Sequence, residues 1–130
     1  MKTIFKRGDT KQTRYTVKES DVAAFLGKVV HPVCSTFTLA REIEWSTRQF
    51  VLEMCDEDEE GIGTALTIDH RGPAFVGDEI IFTARIDEIN GHELICSYEA
   101  NVADRIIAVG KTGQKMLKRD KLAKIFTRQE

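Results

Sequence analysis

Cysteine is scarce, with three in 130 residues at Cys34, Cys55 and Cys96, and no two form a CxxC pair. That excludes a zinc ribbon and a thioredoxin-like redox site, and an odd count without a disulfide framework fits a reducing, cytoplasmic setting. Long apolar runs are missing too. No stretch approaches the ~20 apolar residues of a membrane span, and the start, MKTIFKRGDT, lacks the apolar core of a signal peptide. A strong charge excess is also absent. The formal net charge of −2 gives no basic stripe, so neither a nucleic-acid partner nor a membrane partner is expected. Proline occurs only twice.

What is present is an ordinary globular composition, 42% hydrophobic and 31% charged. It suffices for one core, and residues 1–130 are expected to form a single domain without internal repeats. The one block of like charge, Asp56 to Glu60, reads as a solvated loop after a helix.

The order of elements follows from periodicity. Tyr15 and Val17 alternate with polar residues over Thr13 to Glu19, which predicts a half-buried strand. Ser20 and Asp21 then cap a short apolar turn, Val22 to Leu26, ended by Gly27. From Ser35 to Met54, Ala40, Ile43, Thr47, Phe50 and Met54 recur at intervals of three and four, with Val51 alongside; this is one buried stripe of a long helix. The period then switches to two. Thr64, Leu66, Ile68 and His70 share one face of a strand over Gly63 to His70, before an Arg71-Gly72-Pro73 turn. Glu79 to Glu88 alternates through Ile80, Phe82, Ala84 and Ile86, and Asn90-Gly91 is a strong hairpin signal. The return strand, His92 to Val102, runs through Leu94, Cys96, Tyr98, Ala100 and Val102. Arg105 to about Arg119 makes a long last strand through Ile107 and Val109. A strand, a short turn, a long helix and about four consecutive antiparallel strands define an α+β two-layer domain. One helix on one curved sheet leaves a sheet edge and a helix flank open, so a dimer is expected.

Three residues are unusual for their surroundings. Glu44 sits mid-helix, one position from the buried stripe; His70 ends an apolar strand before the Gly-Pro turn; Thr36 lies at the helix start. Each alone has a commoner explanation, respectively a solvated surface acid, a hydrogen-bonded strand-end imidazole and a helix cap. Together they offer more. Thr36 and Glu44 are eight residues apart, a little over two helical turns, and both can face the sheet edge where His70 emerges. A hydroxyl, a carboxylate and an imidazole are the parts acyl transfer needs, and a helix N-terminus adds N–H donors for a developing oxyanion. Arg71, Lys111, Lys115 and Lys118 are candidate phosphate contacts, though strand-edge charge serves equally to prevent aggregation. His31 and His92 carry no such signal.

The segments GTALTIDHRGPAFVGDEI and NGHELICSYEANVADRIIAVG, with Glu44-Trp45 in the helix, resemble the fluoroacetyl-CoA thioesterase-like group of hotdog-fold acyl-CoA thioesterases. The likeness covers roughly Val33 to Lys115 and keeps Thr36, Glu44 and His70 in order and spacing. It implies a hotdog fold, a long central helix wrapped by a curved antiparallel sheet. It further implies hydrolysis of an acyl-CoA thioester at the interface of a homodimer or dimer of dimers, without a metal or other cofactor. Thr36 would be the nucleophile or orienting hydroxyl, Glu44 the nucleophile or base, and His70 the acid/base and oxyanion partner. Gly63, Thr64, Arg71 and Gly72 would contact substrate. One stretch departs from the group: its lid phenylalanines have no aromatic counterpart over Gly27 to Val33, so general thioester hydrolysis rather than fluorine selectivity is expected. Two other functions use this fold, a non-catalytic acyl-CoA-binding module and an enoyl-thioester hydratase or dehydratase.

Overall fold

The computed structural model describes residues 1–128. Strand β1 (Thr10–Thr16) leads through a 3₁₀ turn (Glu19–Asp21) into β2 (Val22–Phe25) and β3 (Lys28–Cys34). Helix α1 (Thr36–Met54) follows, then β4 (Glu59–Leu66), β5 (Asp69–His70), β6 (Glu79–Asn90), β7 (Glu93–Val102), β8 (Arg105–Lys118) and helix α2 (Arg119–Phe126). The α+β class and the long helix are as expected from the sequence. Ile43, Thr47, Phe50, Val51 and Met54 are buried along α1, joined by Leu39 and Ser46 on the same side. At about 28 Å the helix spans the sheet, touching β1, β4, β6, β7 and β8.

The main sheet runs in the order β1-β6-β7-β8-β4, with β5 also paired to β8. This corrects the expectation of strands paired in simple succession: β4 lies beside β8 at the far edge, not beside β6. The inward positions of β6 and β7 match the alternation, since Ile80, Phe82, Ala84, Ile86, Leu94, Cys96 and Ala100 are all buried. One core cluster joins Leu39 and Ile43 to Ile80, Phe82, Tyr98 and Ile107. A second joins Phe50, Val51 and Met54 to Ile86, Leu94, Cys96 and Met116.

Four further expectations change. Val22 to Leu26 is not a turn but the first arm of a hairpin: β2 pairs antiparallel with β3 in a separate two-stranded sheet. Its tip is Leu26-Gly27, both with positive φ (52° and 77°), as a two-residue hairpin turn requires. Leucine at the first tip position hides that signal. The acidic run is not simply solvated, because Glu59 is buried and pairs with the N-terminal ammonium at 2.7 Å. Its neighbour Asp58 pairs with Lys118 at 2.8 Å. The predicted strand Gly63 to His70 begins earlier, at Glu59, and breaks between Leu66 and Asp69. Beyond β8 the chain forms α2, for which the sequence reading had no counterpart; Leu122 is its buried anchor.

Core burial has a chemical consequence. Desolvation pushes the Cys34 thiol up to about 11 and the Cys96 thiol up to about 12. Both stay protonated and unreactive at neutral pH. In native protein at pH 8, a thiol-exchange dye should therefore label at most the half-buried Cys55, and all three only after denaturation. Three fast native thiols would contradict this core.

Candidate active site

Helix α1 begins where Ser35, not Thr36, supplies the cap. Its side chain accepts the N–H of Thr38 at 3.0 Å, and its carbonyl accepts that of Leu39 at 3.1 Å. The cap frees Thr36, the first helical residue, to use its hydroxyl elsewhere. That hydroxyl and Nδ1 of His70 are hydrogen-bonded at 2.9 Å. In the tautomer with the ring proton on Nε2, Nδ1 accepts from Thr36. Both residues are exposed, so the pair is open to a ligand. Thr36 and Phe37 also contribute first-turn N–H groups, which precede any intrahelical acceptor.

His70 reaches this position through the break in its strand. Up to Leu66 the chain pairs with β8 as β4, and from Asp69 it pairs again as β5. Between them Thr67 gives its N–H to the Lys111 carbonyl at 2.9 Å, and its hydroxyl, instead of its carbonyl, accepts the Lys111 N–H at 2.9 Å. The displaced carbonyl turns inward and accepts from the Tyr98 hydroxyl at 2.7 Å. Burial holds that phenol up to about 12, so it stays a donor across the physiological range. A Cβ on Gly110 would lie 2.1 Å from the Thr67 oxygen, which only glycine avoids. Past the break, the N–H groups of Arg71 and Gly72 both reach the Ile107 carbonyl, at 2.8 and 3.3 Å, and fix the turn after His70.

Glu44 stands apart from this pair within one chain. Eight residues of helix separate it from Thr36 by about 12 Å along the axis and roughly 80° around it. Its carboxylate faces β4, with Oε1 3.8 Å from where a Cβ on Gly63 would sit. Together with Arg48, Gly63, Ala65, Thr112, Gly113 and Gln114 it lines a small cleft of about 50 Å³. Thr64 lies at the register shift of β4, exposed. The structure therefore brings together Thr36 with His70, and Glu44 with Gly63, as two groups.

The candidate phosphate contacts are mostly engaged. The Arg71 guanidinium pairs with Asp69 at 2.8 Å, the Lys111 ammonium with Asp87 at 3.5 Å, and the Lys118 ammonium with Asp58 at 2.8 Å. A larger cleft of about 780 Å³ adjoins Thr36, between the β2–β3 hairpin and the start of α1, lined among others by Val22, Ala23, Phe25 and Phe37. Asp21, buried at its edge, accepts from the Tyr15 hydroxyl at 2.6 Å and from the Lys18 N–H at 2.8 Å. Sequence reasoning missed this hairpin wall and the polar pair Thr112 and Gln114. The available signal for the latter was the run Thr112, Gln114, Met116 on alternate positions of β8, two polar residues where the pattern demands apolar ones.

The Gly110 contact makes a direct prediction. In Gly110→Ala the methyl must displace the Thr67 backbone, so stability should fall by about 1–3 kcal/mol or more, read from urea unfolding. A variant as stable as wild type would show that the carbonyl needs no glycine opposite it.

Comparison with known proteins agrees with this architecture. No curated protein matches in sequence. A hypothetical protein of Thermus thermophilus, a thioesterase superfamily member, is 28% identical over 93% of this chain and 90% of its own, with a TM-score of 0.88. The fluoroacetyl-CoA thioesterase FlK superposes with a TM-score of 0.87 over 97% of this chain and 98% of its own, at 17% identity. A hot-dog-like protein of Thermanaerovibrio acidaminovorans gives 0.86 over 96% of each chain, at 20% identity. These likenesses establish the hotdog fold, one long helix on a curled antiparallel sheet. The family model described as fluoroacetyl-CoA-specific thioesterase matches residues 17–120. This chain belongs to that family of hotdog thioester hydrolases.

Proposed function

We propose that this protein hydrolyses an acyl-CoA thioester to free acid and CoA, using Thr36, Glu44 and His70 within a homodimer. The observation that carries the reading is the 2.9 Å bond between Thr36 and His70 at the N-terminus of α1. With Nδ1 engaged by Thr36, Nε2 of His70 is left to exchange a proton with the substrate. First-turn N–H groups of α1 are oriented to stabilise negative charge on the thioester oxygen. Glu44 acts as the base that takes a proton from water as the water oxygen adds to the acyl carbon. The C–S bond then breaks, and the proton passes from Glu44 to the imidazole and from the imidazole to the leaving CoA sulfur. FlK has been solved with fluoroacetate and CoA, and with acetyl-CoA, which supports a CoA ester as substrate here.

The acyl group enters the cleft beside Thr36 in this reading, under the β2–β3 hairpin. Gly63, Thr64, Arg71 and Gly72 lie outside that cleft and are proposed to contact the rest of the substrate, Arg71 exchanging Asp69 for a CoA phosphate. Among the described residues no helix is long and apolar enough to cross a membrane, and three free thiols suit a cytoplasmic location. No metal or other cofactor is needed for this chemistry.

Pairing into a dimer is supported by what one chain leaves open. Strand β4 is a sheet edge with Gly63, Thr64 and Ala65 exposed. Helix α1 exposes Phe37 (80%), Trp45 (49%) and Leu52 (51%). An unpaired edge and exposed aromatics together mark an interface. Sedimentation equilibrium should give twice the 14.7 kDa chain mass. A monomer at micromolar concentration would rule out the homodimer.

Activity provides the main test. Wild-type protein should release free thiol from a panel of acyl-CoAs, and His70→Ala and Glu44→Ala should each lower kcat by ~10²–10⁴. Variants that match the wild type on every substrate would end the assignment. Stoichiometric CoA-ester binding without turnover would instead indicate a binding module, and a 3-hydroxyacyl product from an enoyl-CoA a hydratase.

A further inference from the structure

The small cleft behind Glu44 has an unusual wall. Thr112 on β8 is buried, 3% exposed, and its hydroxyl finds no partner among the protein groups. A buried hydroxyl left unpaired is costly, and such groups are usually met by an ordered water. Gln114, two residues on and also buried, lines the same cleft. Its amide orientation follows from its neighbours. Thr47 spends its single hydroxyl proton on the Glu44 carbonyl at 3.3 Å, so it can only accept from Gln114, whose Nε2 donates to it at 2.8 Å. That leaves the Gln114 amide oxygen for another donor. The remaining polar walls are the Glu44 carboxylate and the Arg48 guanidinium, which donates to the Gly61 carbonyl at 3.3 Å.

The space, about 50 Å³, is ample for one water, which needs roughly 10–15 Å³ by the same measure. The bonding balances as well. A water there donates one proton to Glu44 and one to the Gln114 oxygen, and accepts from the Thr112 hydroxyl, three bonds as buried waters typically make. We propose that Thr112 and Gln114 bind a structural water against the Glu44 carboxylate and are thereby positioning residues for it. The water ties the carboxylate to β8, so the base is held by the sheet as well as by its own helix. This role rests on the reading of Glu44 as the base; the presence of the water does not.

Two measurements separate those parts. A high-resolution crystal structure of the wild-type protein should show a water within hydrogen-bonding distance of Thr112 Oγ1, the Gln114 amide and Glu44; a cleft without that density overturns the proposal. Kinetically, Thr112→Val keeps the side-chain shape and removes the hydroxyl. It should lower kcat by about 10- to 100-fold with KM within roughly twofold, and Thr112→Ser should restore most of the loss. If Thr112→Val instead keeps wild-type kcat and melts at a higher temperature, the hydroxyl is only a burial cost and the positioning role falls. Full activity in Glu44→Ala would remove the catalytic reading of Glu44 while the crystallographic water still stood or fell on its own.

Discussion

The absence of a side chain at Gly110 governs the geometry around the imidazole. Only because that space is empty can the Thr67 carbonyl turn inward to Tyr98, and only because it turns does the edge strand break into β4 and β5. The break changes the course of the chain just before His70, while the Thr67 hydroxyl stands in for the lost ladder acceptor, so the Lys111 amide keeps a partner. The irregularity keeps both bonds between Thr67 and Lys111, yet it turns one strand end toward the start of the helix.

The helix is in turn registered on the sheet by polar ties. Near its first turn Thr36 meets His70; near its middle Thr47 accepts from Gln114; and Arg48 donates to the Gly61 carbonyl at 3.3 Å. Apolar packing alone is not directional and tolerates sliding. Directional bonds to a buried glutamine do not, because a shift of α1 would leave that amide unpaired in the core. The same contacts that fix the depth of the helix therefore fix where Glu44 and Thr36 lie along the sheet edge that carries His70.

Much of this is legible in the sequence, and the rest is hidden for identifiable reasons. Helix α1 and strands β6 to β8 are readable because each buries one face and so imprints a clean period of 3.6 or 2 on Ile43, Phe50, Phe82 and Leu94. Thr36, Glu44 and His70 are noticeable as residue types out of keeping with that pattern. Hidden are the features that depend on partners distant in sequence. The place of β4 beside β8 is a matter of topology, which alternation does not encode. The burial of Glu59 depends on an ammonium 58 residues away in the chain. The β2–β3 hairpin is masked because exposed Phe25, Leu26, Val29 and Val30 read as core material while its turn lacks the usual asparagine.

That hairpin forms a sheet of its own, its two arms bonded to each other. The Ser35 N–H closes its base on the Asp21 carbonyl at 2.8 Å, and the Cys34 N–H ties it to the body at the Ala74 carbonyl, also 2.8 Å. Residues beyond those anchors can therefore be exchanged, lengthened or shortened without disturbing the interior. A lineage could reshape the cleft beside Thr36 by editing this hairpin alone, leaving the core beneath it untouched.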